Sequence, residues 1–194
     1  MRRPSPRVTS AAVAAVALGL LAWPAAASDG GSPIAPKPPQ GSTSTTVHIE
    51  QQGVDTDPTA CGDYGVEWAT NLQADITTYR DELGRRVQQV VEITEDNTVK
   101  NTVTGLTLRD GPVHFTQTTT FDPATNLRQK IYINGVSVLV TREGYPTLID
   151  TGPLVIDGRT GVILDSRGQH PVRELLDGSF DTSLALPAFC DILE

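Results

Sequence analysis

The sequence is short of the residues with which small proteins do chemistry. It has two cysteines and three histidines in 194 residues, and only 5% of it is aromatic. His48, His114 and His170 stand far apart, so no clustered spacing such as HExxH is present, and neither metal nor cofactor is expected. No G-x-S-x-G elbow occurs either. Gly135-Val136-Ser137-Val138-Leu139 begins like one but lacks the second glycine, and Ser137 reads as a strand residue. Asp55, Asp57, Asp150, Asp157 and Asp165 do not follow a D-x-[DN]-x-[DN]-G calcium loop and read as turn residues, where Asp bonds its own backbone. The separation of any carboxylate pair, on which glycosidase chemistry depends, is not a sequence property. No catalytic residue is assigned.

Positive charge is also scarce, with 15 Lys and Arg against 23 Asp and Glu and a net −8. An acidic surface repels phosphate backbones and anionic headgroups, which argues against nucleic acid and against peripheral membrane binding. The adjacent Arg85 and Arg86 read as a solvated strand end.

Long apolar runs are confined to the N-terminus. Arg2, Arg3 and Arg7 precede an apolar stretch from Ala11 to Ala22, followed by Pro24 and the small residues Ala25, Ala26 and Ala27. This is the layout of a signal peptide cleaved after Ala27, and the run falls short of the roughly 20 residues that span a bilayer. The expectation is a secreted, extracellular protein with no membrane span after cleavage. Loss of residues 1–27 leaves 12 Lys and Arg against 23 Asp and Glu, a formal −11.

Outside the cytoplasm paired cysteines are oxidised, and Cys61 is the only intramolecular partner for Cys190. A bond closing so long a loop is worth about 4 to 5 kcal/mol in the chain-entropy model. A redox role is not indicated, since Asp63 and Asp191 lie beside the cysteines instead of the cations that activate a thiolate.

Residues 28–46, SDGGSPIAPKPPQGSTSTT, have too little apolar surface to offset ordering entropy and read as a disordered leader. A single β domain, 47–194, is expected to follow, with a short strand near Val47 to Glu50. Periodicity is then two: Val87, Val91 and Ile93 share a face, as do Val113, Phe115 and Phe121. Asn134-Gly135 lies between alternating apolar runs and predicts a tight hairpin turn. Further turns are expected at Asp110-Gly111, Phe121–Asn126, Arg142–Pro146, Asp150–Pro153 and Asp157–Gly161, with single helical turns in HPVRELLDG and PAFCDILE. The fold class is therefore all-β, a single antiparallel meander closing into a barrel or a two-layer sandwich.

A Cys-Gly opening, the Thr-rich GPVHFTQTTT stretch, a late DG…G.ILDS.G segment and a C-D-x-L ending together resemble a group of small exported proteins of high-GC Gram-positive bacteria. Twelve Arg against three Lys fits such a source. The resemblance implies an all-β fold stapled at its ends and supplies no catalytic residues.

These features point first to a non-enzymatic secreted β module that binds a cell-envelope component or a protein partner. The alternative is a carrier of a small apolar ligand inside a barrel. A secreted cyclase or hydrolase using His114 with a neighbouring Asp ranks third. His114 is the one candidate ligand contact, because alternation sets it among threonines opposite the apolar face of its strand.

Overall fold

The computed structural model describes residues 35–172 and 186–194. The expected signal peptide, leader residues 28–34 and residues 173–178 of HPVRELLDG lie outside the described residues. Eight strands follow one another: β1 (Thr43–Asp57), β2 (Val66–Arg80), β3 (Arg86–Asn101), β4 (Thr107–Phe121), β5 (Arg128–Arg142), β6 (Tyr145–Thr151), β7 (Leu154–Asp157) and β8 (Ile163–Ser166). A helix, α1 (Leu186–Leu193), lies at the end of the described residues. All strand pairs are antiparallel, in the order β1-β2-β3-β4-β5-β7-β8, with β6 also on β5. The meander expected from the sequence is present. It does not close, because β8 does not pair with β1.

β1 to β5 have 15 or 16 residues each, about 50 Å long at ~3.3 Å per residue. β1 begins at Thr43, so the strand expected near Val47 to Glu50 is three times longer and takes in the end of the expected leader. Ordering reaches further back, where the Gln88 side chain donates to the Pro36 carbonyl at 2.7 Å.

Three of the expected turns form at strand ends. Asp122 Oδ1 accepts the amides of Ala124 and Thr125, and Asp157 Oδ1 those of Arg159 and Thr160. Between β5 and β6, Glu143 and Gly144 both have positive φ, as a two-residue hairpin loop requires.

Three others are corrections. Asn134-Gly135 is no turn but the interior of β5. Gly135 has φ 118°, and a Cβ there would stand 2.6 Å from the His114 carbonyl oxygen. The glycine permits a close approach of β4, at the point where β5 passes from β7 (Lys130–Ile133) to β6 (Val136–Arg142). Asp150–Pro153 is likewise a bend between two segments on one edge of β5, and Asp110-Gly111 lies inside β4, where Gly111 and Pro112 bulge opposite Asp96 of β3.

The core has two parts. Leu72, Ala74, Ile93, Val113, Phe115, Ile131, Ile133 and Leu154 fill the middle of the sheet. Val66, Val99, Leu108 and Val140 form a second cluster with Leu193 of α1. Burying a side chain of this size contributes about 1.5 to 3 kcal/mol, so α1 closes the sheet end through Leu193, which has no exposed surface.

Candidate functional site

Cys61 and Cys190 are disulfide-bonded, with Cα atoms 5.5 Å apart and 129 positions between them in sequence. PAFCDILE forms α1 because its apolar residues fall on one helical face, yet the helix carries no basic residue in its last turn to complement its free carbonyls. The sheet supplies the missing donors. Tyr64 Oη donates to the Cys190 carbonyl at 2.6 Å, Arg142 Nη1 to Ile192 at 3.1 Å and Asn101 Nδ2 to Leu193 at 3.1 Å. This end of the molecule is a built anchor, with its polar groups occupied in holding the helix.

His114 lies on the exposed face of β4, with Val113 and Phe115 buried on either side of it. Its Nδ1 is 3.2 Å from Thr94 Oγ1, and among the described residues no carboxylate is bonded to it. The structure thus brings no Asp to His114. The carboxylates meet His48 instead: its Nδ1 lies 2.8 Å from Asp75 Oδ1 and its Nε2 3.3 Å from Glu50 Oε1. These contacts raise the imidazole pKa, chiefly through Asp75. Both ring nitrogens are occupied on an open surface, which leaves no lone pair to act as a base on a bound group.

Of the five sequence-assigned turn aspartates, Asp57 and Asp157 do cap turns. Asp150 does not. It is fully buried, and its Oδ1 accepts the Val172 amide at 2.9 Å. Ser137 is a buried strand residue, as its context implied. His170 is buried as well. Among the described residues no group of His, Cys, Asp and Glu is arranged to hold a metal.

Sequence reasoning missed two neighbouring acids whose pKa is raised by burial. A bulge at Gly111-Pro112 of β4, opposite Asp96 of β3, breaks the ladder between Glu95↔Val113 and Asn97↔Asp110. Asp96 turns outward to a two-pronged ion pair with Arg109, at 2.7 and 2.6 Å. Glu95 is buried beside Asp110. Desolvation and then the Asp110 charge push the Glu95 pKa up to about 7, and burial raises that of Asp110. A pair displaced in this way is a functional-site signal only where substrate can reach it. Neither acid lines the two surface clefts, which lie against Arg86 and against Asn71. The only signal in the sequence was a Gly-Pro pair inside an apolar alternation, marking an irregular strand.

The last feature is β1. It pairs with β2 through 15 consecutive positions without a register shift, while among the described residues no strand pairs with its outer edge. Alternate residues of such a strand direct backbone donors and acceptors outward. Val47 and Val54 are 54% and 67% exposed on it. Of the usual guards of a free edge, β1 has no proline, lysine or bulge, though it carries the charges of Glu50, Asp55 and Asp57.

No family model, curated protein or solved structure matches this chain.

Proposed function

We propose that the protein is a secreted, non-enzymatic β module that binds a protein partner of the cell envelope by strand addition along β1. The 15-residue edge of β1, which has no partner strand among the described residues, carries this reading. Strand addition gains affinity from main-chain hydrogen bonds and selectivity from alternate side chains. Glu50, Asp55 and Asp57 lie on this edge, with His48 as its one group able to carry positive charge, so a partner strand with basic side chains is favoured. Export is supported by the N-terminal layout, and the bonded cysteines agree with an oxidising compartment. The open sheet gives the apolar carrier no closed lumen, and the surroundings of His114 give the enzyme reading no acid–base pair.

The test places a photo-crosslinking residue at Val47 in cells of the protein's own host, with a control at Val103, 74% exposed in the β3–β4 turn. A discrete adduct is expected at 47 and not at 103. Val54→Lys, a charge on the free edge, is expected to abolish it without unfolding the protein. Equal adducts at both sites, or one indifferent to Val54→Lys, would refute edge recognition. The mass of the protein recovered from the medium checks cleavage after Ala27.

A further inference from the structure

One end of the sheet gathers positive charge in an otherwise acidic chain. Arg80 at the end of β2 and Arg86 at the start of β3 are direct cross-strand partners. Like charges placed opposite one another destabilise a sheet. Arg128, at the start of β5, stands opposite Phe121, and the Arg86 guanidinium lies 3.7 Å above the Phe121 ring centroid. Arg86 Nε donates to Asn126 Oδ1 at 3.0 Å, which fixes the plane of the fork. Thr78, Arg80, Arg85, Arg86, Pro123 and Asn126 line a cleft of about 470 Å³ at this end.

The acids of the adjoining turns do not neutralise the group. Asp81 is held by Arg85, with Oδ2 2.7 Å from Nη2, and by the amides of Leu83 and Arg85. Asp122 caps its own turn, and the Glu82 carboxylate lies against Gly41. Among the described residues no carboxylate forms an ion pair with Arg80, Arg86 or Arg128. Burial, Arg128 and Arg80, in that order, lower the pKa of Arg86, yet a guanidinium keeps its charge at neutral pH.

We infer that the cleft lined by Arg80 and Arg86, with Arg128 close enough to act on the Arg86 charge, is a binding site for a dianionic phosphate or sulfate group carried by a small soluble molecule. The Arg80 and Arg86 guanidiniums of the lining, and Arg128 beside them, form no ion pair with a carboxylate among the described residues, and they match the charge and fork geometry of such an oxyanion. The Phe121 stack and the Asn126 bond hold the Arg86 fork in place before any ligand arrives. A discrete group that enters a cleft is favoured over an anionic membrane, because a small ligand meets only the local arginines, whereas a charged sheet of headgroups meets the field of the whole chain, formally −11 once residues 1–27 are removed.

The experiment titrates the intact, disulfide-bonded chain with inorganic phosphate, and separately with sulfate, at constant ionic strength set by chloride. Amide and arginine Nε resonances are followed by NMR. Saturable shifts confined to Arg80, Arg86, Asn126 and Arg128 are expected, weakened at least tenfold in Arg80→Gln/Arg128→Gln. Lys100→Gln, at the far end of β3, should change nothing. Shifts that chloride reproduces, or that persist in the double variant, would overturn the site. In a parallel arm, sedimentation with phosphatidylglycerol vesicles should leave the protein in solution. Vesicle binding without a phosphate response would move the cleft to the membrane surface and refute the soluble ligand.

Discussion

The Tyr64 hydroxyl donates a 2.6 Å hydrogen bond to the carbonyl of Cys190, 126 positions further along the chain. With the disulfide and the Asn101–Leu193 bond it ties α1 to the loop before β2. Graded losses of stability are expected in denaturant unfolding: about 1 kcal/mol for Tyr64→Phe and about 2 to 4 for Asn101→Ala. The Asn101 variant costs more because its Oδ1 also accepts the amides of Val103 and Thr104. Reduction should cost about 4 to 5 kcal/mol, and coincident curves with and without reductant would show that the 61–190 bond contributes nothing.

Two glycine substitutions should separate sharply. At Gly135 an added Cβ meets the His114 carbonyl at 2.6 Å and forces a side chain to adopt φ 118°. At Gly53 in β1 it meets nothing within 4 Å. Gly135→Ala is expected to destabilise by about 2 to 4 kcal/mol and Gly53→Ala by less than about 0.5. Similar thermal midpoints would mean that the β5 bend does not need its glycine.

The Glu95 carboxyl gives stability an unusual pH dependence. Its pKa is raised from 4.5 to about 7 in the fold, so below pH 4.5 it is protonated in both states and costs nothing. Between those values only the unfolded chain ionises, and stability is lost as pH rises, reaching a plateau above 7. The loss is up to about 3 kcal/mol by linkage. Glu95→Gln should therefore match the parent near pH 4 and exceed it at pH 8. An equal difference at both values would refute the assignment. Asp81, Asp96, Asp122 and Asp157 act in the opposite sense, since hydrogen bonds lower their pKa and their contribution is lost as pH falls below 3.8. The comparison of variant with parent isolates Glu95 from them.

His114→Ala should change stability by less than about 0.5 kcal/mol, because the side chain is exposed and its contact with Thr94 is a surface one. It should also leave the crosslink at Val47 intact. Loss of that adduct would place His114 in the binding surface.

Periodicity and turn chemistry determined the all-β antiparallel class by themselves, because alternation of Val, Ile and Phe with Thr and Gln is a local property that every strand repeats. The turns at Asp122, Glu143-Gly144 and Asp157 were legible for the same reason: an Asp that bonds its own backbone, or a residue held at positive φ, acts within a few residues. Counting cysteines was enough to pair Cys61 with Cys190. Tertiary structure decided the rest. Asn134-Gly135 carries the local signal of a hairpin, but the close approach of His114 and the exchange of edge partners, both long-range, keep it inside β5. The burial of Glu95 beside Asp110 depends on the Gly111-Pro112 bulge of one strand meeting Asp96 in the next. The arginine cleft joins residues from two strands and two turns, and Arg85-Arg86 read alone is only a charged strand end. Closure of the sheet depends on twist and curvature summed over eight strands, so only the assembled meander shows that β1 keeps a free edge.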